Sequence, residues 1–476
     1  MKKKAIVWFR NDLRIRDNVA LQEANQNAET IYPIFCIDPR LFEDSGYGFI
    51  KTDTLRTRFL LESLQDLQKN LRDLGSDLLV FKGQAEEILP AFCKNNGISD
   101  IYASKETTRE ETLAEEKVEL ELFKLGGSLH LYWQSTLFHE DDIPWPISRL
   151  PDVFTKFRKE NEKATPIRPE AAAPESLNPP AGAFETPIPT LQDLGFDDRI
   201  RQDSRAACQF QGGETKAWDR LNDYFWERDL LKKYKYTRNG LLGEDYSSKF
   251  SPWLSLGCIS PRSIYYEVKK YEKEVHKNVS TYWMIFELIW RDYFRFVAKK
   301  FKNKIFHKGG IKQVEHTYQN DTARFRKWIS GETGIPFIDA NMRELKLTGF
   351  MSNRGRQNVA SFLVKDLDID WRWGAAWFES QLIDYDVCSN WGNWMYNSGV
   401  GNDPRENRYF NIASQAQKYD SKGEYVRHWI PELAGIPGYK IHFPFEMNEK
   451  TLAGYGITIG KDYPAPVIDT EKWLVS

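Results

Sequence analysis

The chain has 476 residues, more than one ordinary hydrophobic core accommodates, so two domains, or three at most, are expected. Its 66 Lys and Arg against 68 Asp and Glu leave a formal charge of −2, which excludes a histone-like polyanion binder and restricts any nucleic-acid contact to a local basic patch. An aromatic share of 14% with 16 Trp favours stacking surfaces or cofactor contact over a plain scaffold.

The five cysteines, at 36, 93, 208, 258 and 388, are widely spaced and form no CxxC or Cys/His cluster. Neither a disulfide framework nor a zinc site is supported, and reduced thiols are expected. The opening MKKKAIVWFR has a basic tip, but its apolar run stops at Arg10, too early for a signal sequence. The apolar stretch 282–298 carries Glu287, Arg291, Asp292 and Arg295, which argues against a membrane span. The expectation is an intracellular, cytoplasmic monomer that binds no metal and enters no membrane.

In chain order, apolar runs of strand length occur at 5–9, 31–37, 78–81, 100–104 and 129–133. Helix-period segments separate them, such as TLRTRFLLESLQDLQKNLRDLG ending at Gly75. Such an alternation predicts a parallel, doubly wound, five-stranded sheet covered by helices on both faces, over residues 1–135. No GxGxxG follows the first run, so a standard dinucleotide site is not indicated there. Residues 140–200 hold ten of the 22 prolines, among them Pro144, Pro146, Pro179, Pro180, Pro187 and Pro189. Proline lacks a backbone donor and disfavours helix before it, so 136–204 reads as a wrapping connector. Beyond Gly213 the pattern is helical almost to Leu433, which predicts an all-helical domain over 205–476.

Three stretches in the helical half carry chemistry. In YTRNGLLGEDYSSKFSPWLSLG, Ser247, Ser248, Lys249 and Ser251 precede a helix start, a donor set suited to a pyrophosphate. Ordinary capping, with Pro252 in the first turn, explains Ser and Pro equally. On the helix 281–298, Glu287, Trp290, Arg291 and Phe294 fall on one face, with Trp283 near the same edge. A carboxylate, an arginine and a flat indole there read as a pocket wall; the competing reading is an internal Glu287–Arg291 pair of about 0.3–0.5 kcal/mol. In LTGFMSNRGRQNVASFLVKDLDIDWRWGAAWFESQLIDYDVCSNWGNWMY, tryptophans 371, 373, 377, 391 and 394 sit among Asn353, Arg354, Arg356, Asp384, Asp386 and Asn390. Charges this close to a tryptophan-rich core need partners or a polar ligand. A large planar cofactor with an anionic edge accounts for both features, and a salt-bridged helical core is the alternative.

These stretches, together with IVWFRNDLRIRDN near the start and YVRHWIPEL near the end, closely resemble the photolyase and cryptochrome family, specifically its DASH branch. The resemblance covers nearly the whole chain. It implies FAD, fully reduced when active, held by Tyr234, Ser247, Ser248, Lys249, Phe250, Ser251, Glu287, Arg291, Asn353, Arg356, Asp384, Tyr385, Asp386 and Asn390. Tyr234 and Arg238 stand at the family's Y-x-x-x-R spacing, and Arg356 with Asp384 corresponds to an ion pair flanking the isoalloxazine. Asp386 corresponds to a residue at the ring's polar edge or the ribityl chain, and Asn390 to the position facing flavin N5, where asparagine is the photolyase-like choice.

The resemblance also implies electron transfer through Trp394 and Trp371 to Tyr318, where the family usually has tryptophan; Trp328 is the alternative end of the path. It implies a substrate face built from Glu287, Trp290, Arg291, Asn353, Arg354, Gln357 and Tyr396. Gln357 and Tyr396 stand where duplex-acting photolyases have methionine and a second stacking tryptophan. The implied activity is repair of cyclobutane pyrimidine dimers by electron donation from excited reduced FAD, preferentially in single-stranded DNA, with RNA or duplex DNA as weaker partners. A blue-light signalling protein with little repair activity, and a light-independent nucleic-acid-binding regulator, are the rival readings. A reduced folate antenna, 5,10-methenyltetrahydrofolate, is implied at the domain interface, with Glu106 or Glu110 on its pterin; an ordinary helix start explains either acid. The run Lys299, Lys300, Lys302, Lys304, His307, Lys308 and Lys312, interleaved with Phe301 and Phe306, is a candidate backbone-contacting rim or simply a solvated loop.

Overall fold

Five short strands, β1 (Lys4–Phe9), β2 (Thr30–Ile37), β3 (Leu79–Lys82), β4 (Asp100–Ser104) and β5 (Ser128–Tyr132), form a wholly parallel sheet in the order β3-β2-β1-β4-β5. They come from a computed structural model of the chain, which describes residues 3–179, 186–405 and 408–474. Pro180, one of the linker prolines, lies outside the described residues.

The alternation of side chains along β1 explains the covering of both faces. Ala5, Val7 and Phe9 share a core with α1 (Val19–Asn27) and α2 (Thr54–Asp73), whereas Ile6 and Trp8 pack with α3 (Ala85–Asn96) and α4 (Arg109–Lys124). The start of α2 is fixed by Asp53, whose carboxylate accepts from Thr54 N, and its end by Gly75 at φ 88°. Among its described residues the connector holds one α-helix, α5 (Phe154–Ala164).

The helical half continues with α6 (Glu214–Asn222), α7 (Tyr234–Thr237), α8 (Ser251–Ser255), α9 (Pro261–Glu274), α10 (Val279–Phe301), α11 (Thr322–Ser330), α12 (Pro336–Thr348), α13 (Asn353–Ser361), α14 (Trp371–Gln381) and α15 (Val387–Ser398), with shorter helices to Leu474. Side chains set the starts that matter for function. Asn278 caps α10 through a capping box, Ser352 accepts from Gly355 N on α13, and Asp386 accepts from Ser389 N on α15. No helix among the described residues is long and apolar enough to cross a membrane.

Buried polar contacts join sheet and helices into one body. Glu214 on α6 accepts from Ile15 N and Arg16 N, and Asp17 takes Arg262 of α9 at 2.9 Å. Asp292 on α10 accepts from Leu137 N and Phe138 N, at 3.0 and 2.8 Å. The core under α1 and α2 runs on into α9 and α10.

Candidate functional site

Two adjoining cavities of about 300 and 320 Å³ open between α10, α13 and α15. They share a wall that includes Arg238, Glu287, Arg291, Asn353 and Gln357. All fourteen residues expected around a flavin line the first, from Tyr234 and the 247–251 stretch to Asp384, Tyr385, Asp386 and Asn390. All seven expected at a substrate line the second: Glu287, Trp290, Arg291, Asn353, Arg354, Gln357 and Tyr396.

The serines are not used as caps. Phe250 stands at the N-cap of α8, which receives no side-chain cap, so ordinary capping does not account for Ser247, Ser248 and Ser251. Lys249 adopts φ 56°, an uncommon backbone conformation for a side-chain-bearing residue, and its ammonium donates to Glu244 O at 3.0 Å. Burial pulls its pKa down to about 7, with Arg220 acting in the same direction. An anion bound in this stretch therefore holds Lys249 in its charged form.

Deeper in, Arg356 donates to Asp384 at 2.7 Å, and the Asp384 side chain is only 1% exposed. Its second oxygen, Oδ1, is buried with no partner, as are Tyr246 OH and Gln357 Oε1 beside it. A buried carboxylate oxygen left unpaired is costly, and an imide N–H from a flavin edge is a donor of the required kind. Asn390 donates to Ala375 O at 3.0 Å, which fixes its amide and leaves the carbonyl oxygen as the acceptor facing the cavity. By these tests the residues present fit FAD.

Asp386 lines the first cavity, and its carboxylate is held by the protein's own groups. Besides capping α15, it takes Arg295 at 3.1 Å and lies 3.9 Å from Arg291. Burial alone raises this carboxyl, but the two guanidinium groups and the Ser389 contacts bring it down to about 2. Arg295 also grips Glu106 at 2.9 Å, so a buried acid–base–acid chain crosses from α15 through α10 to the sheet domain. Glu106 is thereby committed, with Asn11 Nδ2 on its other oxygen. The Glu110 side chain is 83% exposed and 3.9 Å from Lys51.

On α10 the Glu287–Arg291 pair does not form. Glu287 takes Arg238 at 2.7 Å instead, and burial still raises its carboxyl, with Arg238 opposing. Arg291 donates to Ser135 O and Leu254 O. Trp290 stacks on Phe154 of the connector helix, with centroids 3.5 Å apart and planes 10° apart, and Tyr396 meets it edge-on at 5.7 Å. The second cavity also gathers Asn239, Asn393, Asn397 and Arg408, which pattern reading had not singled out. Asn393 and Asn397 follow Asn390 on one helical face, a period visible in the sequence; Arg408 has no such signal. Arg238, Arg291, Arg354 and Arg408 face a single carboxylate, Glu287, among the lining residues.

The residues expected on the electron path are not equivalent in burial. Trp394 lines the first cavity at 2% exposure, and Trp371 is fully buried with Nε1 on Lys308 O. Tyr318 is half-buried, outside both cavities. Trp328 is 0% exposed and meets Trp394 edge-on at 6.2 Å, so it cannot be a surface terminus. The basic run divides into held and exposed residues. Lys299 pairs with Glu140, Lys300 with Asp152, Lys312 donates to Asp403 O, and Phe306 packs edge-on against Trp391. None of these residues lines the cavity beside Trp290, whereas Lys302, Lys304, His307 and Lys308 stay exposed.

Comparison with known proteins agrees with this geometry. The family described as DNA photolyase matches residues 5–177, and the FAD binding domain of DNA photolyase matches 283–474. The chain is 52% identical to a protein named Cryptochrome DASH from Synechocystis sp. over 466 residues, covering 98% of this chain and 95% of that one. It is similar to the crystal structure of Synechocystis sp. PCC6803 cryptochrome, with a TM-score of 0.96, 51% identity and coverage of 99% and 98%. It is also similar to a class III photolyase from Agrobacterium tumefaciens, with a TM-score of 0.87, 28% identity and coverage of 99% and 96%.

The ion pair provides the first prediction. Arg356→Ala leaves Asp384 buried without a partner on either oxygen, a loss of about 3–5 kcal/mol. FAD stoichiometry, read from the absorbance of the purified variant, is expected to fall sharply; native stoichiometry would show that the pair does not support the flavin.

Proposed function

The chain belongs to the photolyase and cryptochrome family, in its DASH branch, and from that premise we propose that this blue-light flavoprotein repairs cyclobutane pyrimidine dimers, preferentially in single-stranded DNA. The observation that supports this reading is the shared wall. A cavity fitted to FAD adjoins one with an aromatic floor and a guanidinium rim, so donor and lesion are held side by side. Reduced FAD, when bound, supplies the electron that opens the dimer on blue-light excitation and takes it back afterwards.

The chain's own residues do the holding. Trp290, backed by Phe154, offers its open face to a pyrimidine ring, and Tyr396 closes the side. Glu287, raised by burial, is placed to hydrogen-bond a base edge in either protonation state. Arg354 and Arg408 lean on Tyr419 and Tyr396 at 4.5 and 5.1 Å; Arg354 also donates to Asn239 and Arg408 pairs with buried Asp403, which leaves the Nη1 group of each for a phosphate oxygen. Gln357 keeps an unpaired buried oxygen on the wall between flavin and substrate.

The single-strand preference follows from grip. Flipping a dimer from a duplex costs a few kcal/mol, and one tryptophan with one tyrosine offsets less of it than two tryptophans do. Dependence on phosphate contacts predicts binding that weakens steeply with salt. For the folate antenna, Glu110 is the acid we assign to the pterin, because Arg295 and Asn11 occupy Glu106.

The test is light-driven restoration of a thymine dimer in a single-stranded oligonucleotide. Trp290→Ala is expected to keep native FAD content and lose about 1–3 kcal/mol of stacking, with repair falling roughly tenfold or more. Undiminished repair in Trp290→Ala would remove the indole from the substrate face. Absence of light-driven repair with FAD fully reduced would favour light sensing as the function.

A further inference from the structure

Residues 315–319 run beside the loop that leads into α14. Gln319 N donates to Asp368 O at 2.7 Å and Gln319 bridges Ile369 in parallel. Lys308 links this segment to the buried indole: its carbonyl accepts from Trp371 Nε1 at 2.9 Å, and its ammonium stands 5.3 Å from the centre of the Tyr318 ring. Trp371 and Tyr318 thus meet opposite ends of the same residue, Lys308. Against Tyr318 lies His316, edge to face with centroids 4.3 Å apart, and His316 Nε2 meets Asp368 Oδ1 at 2.7 Å.

A phenol differs from an indole as a one-electron donor because the oxidised phenol must shed its proton. Burial, with Asp370 and Asp368, pushes Tyr318 up to about 12, so the phenolate is not available beforehand at neutral pH. An acceptor is needed at the moment of electron loss. Of the charged groups around the ring, Lys308 and Arg372 carry no lone pair, and Asp370 is engaged by Arg372 and by capping α14. His307 and Glu315 line the same surface depression as His316, but it is His316 that packs against the Tyr318 ring. His316, with its Nε2–H directed to Asp368, presents the lone pair of Nδ1.

We propose that His316, oriented by Asp368, is the proton acceptor for Tyr318 at the outer end of the electron path. This rests on the path through Trp394 and Trp371. One electron passes from Tyr318 to the one-electron-oxidised indole of Trp371, which returns to neutral Trp. The phenolic O–H breaks, its proton forms the second N–H of His316, and a neutral tyrosyl radical remains beside an imidazolium paired with Asp368. An external thiol reductant then returns one electron to Tyr318, and His316 returns the proton. The His316 side chain is 48% exposed, so both partners are reachable from solvent.

The test uses the full chain with oxidised FAD, blue light and a thiol. It follows cofactor photoreduction, the transient neutral tyrosyl radical and the slowing in D2O. His316→Ala, at an exposed position, is expected to keep FAD, lose the tyrosyl signal and photoreduce about tenfold more slowly or worse, with added imidazole restoring the rate. Asp368→Asn, which tolerates the φ of 53° found there, is expected to slow the step less. In a Tyr318→Trp background, His316→Ala is expected to change nothing and the D2O effect to disappear. A native rate in His316→Ala, or equal slowing in the Tyr318→Trp background, overturns the proposal. An unchanged rate in Tyr318→Phe also overturns it and moves the exit to Trp328, from which Phe325 and Trp373 lead by ring contact to Tyr47. Full photoreduction in Trp394→Phe would instead refute the underlying path, a distinguishable failure.

Discussion

Trp394→Phe is expected to bind FAD at native stoichiometry and to lose nearly all photoreduction. The indole lines the cofactor cavity, meets Phe378 edge-on at 5.1 Å, and leans on the bare backbone of α14 at Gly374. A Cβ at Gly374 would stand 2.2 Å from Trp394 Cη2, so the glycine is what admits the ring. Phenylalanine keeps most of the packing and stacking there but is far harder to oxidise, which separates binding from electron supply. Flavin absorbance during illumination with a thiol donor reads both properties in one experiment. A variant that photoreduces at the native rate would remove Trp394 from the path.

Asp386→Ala is expected to be the most damaging single change to the architecture of the site. It removes the cap of α15, worth about 1 kcal/mol, and one of the two carboxylates holding Arg295. Arg295 keeps Glu106, so the further cost is part of the about 3–5 kcal/mol that a wholly unpaired buried charge would carry. Because α15 carries Asn390 and Trp394, FAD content is expected to fall together with stability in denaturant. The pH dependence has a definite sign. The folded-state pKa of Asp386, about 2, lies below the ordinary aspartate value of about 3.9. Its contribution is therefore fully present above about 3.9 and is lost as pH falls through about 2. Acid release of FAD from the native chain in that window, absent as a separate step in Asp386→Ala, is the expected measurement.

Much of this was legible in the chain because the relevant signals are local. Parallel strands buried on both faces read as continuous apolar runs, and the expected and observed strands agree within one residue at either end. The residues proposed for flavin and substrate stood out because Arg356, Asp384 and Glu287 are charges in apolar surroundings, which calls for partners. The choice of partner was not legible. Glu287 pairs with Arg238, 49 positions away, rather than with Arg291 one turn on, and Arg295 reaches Glu106 across 189 positions. Helical periodicity reports which residues share a face and says nothing of what the opposing element presents. The same limit hid Phe154 beneath Trp290, since a proline-rich connector gave no sign that its helix would floor a pocket. It also gave no sign that Trp328 would be fully buried, or that Lys299 and Lys300 in the last turn of α10 would meet Glu140 and Asp152.

As proposed, the lesion pocket repairs dimers but offsets too little of the extrusion cost to act well on an intact duplex. The most direct test compares blue-light repair of one thymine dimer placed in a single strand, in an intact duplex and in a mismatched bubble, with FAD fully reduced and salt held constant. Extrusion costs a few kcal/mol, so single-strand turnover is expected to exceed duplex turnover by roughly tenfold to a hundredfold, and the bubble to restore it. Equal turnover on single-stranded and duplex substrates would contradict the account.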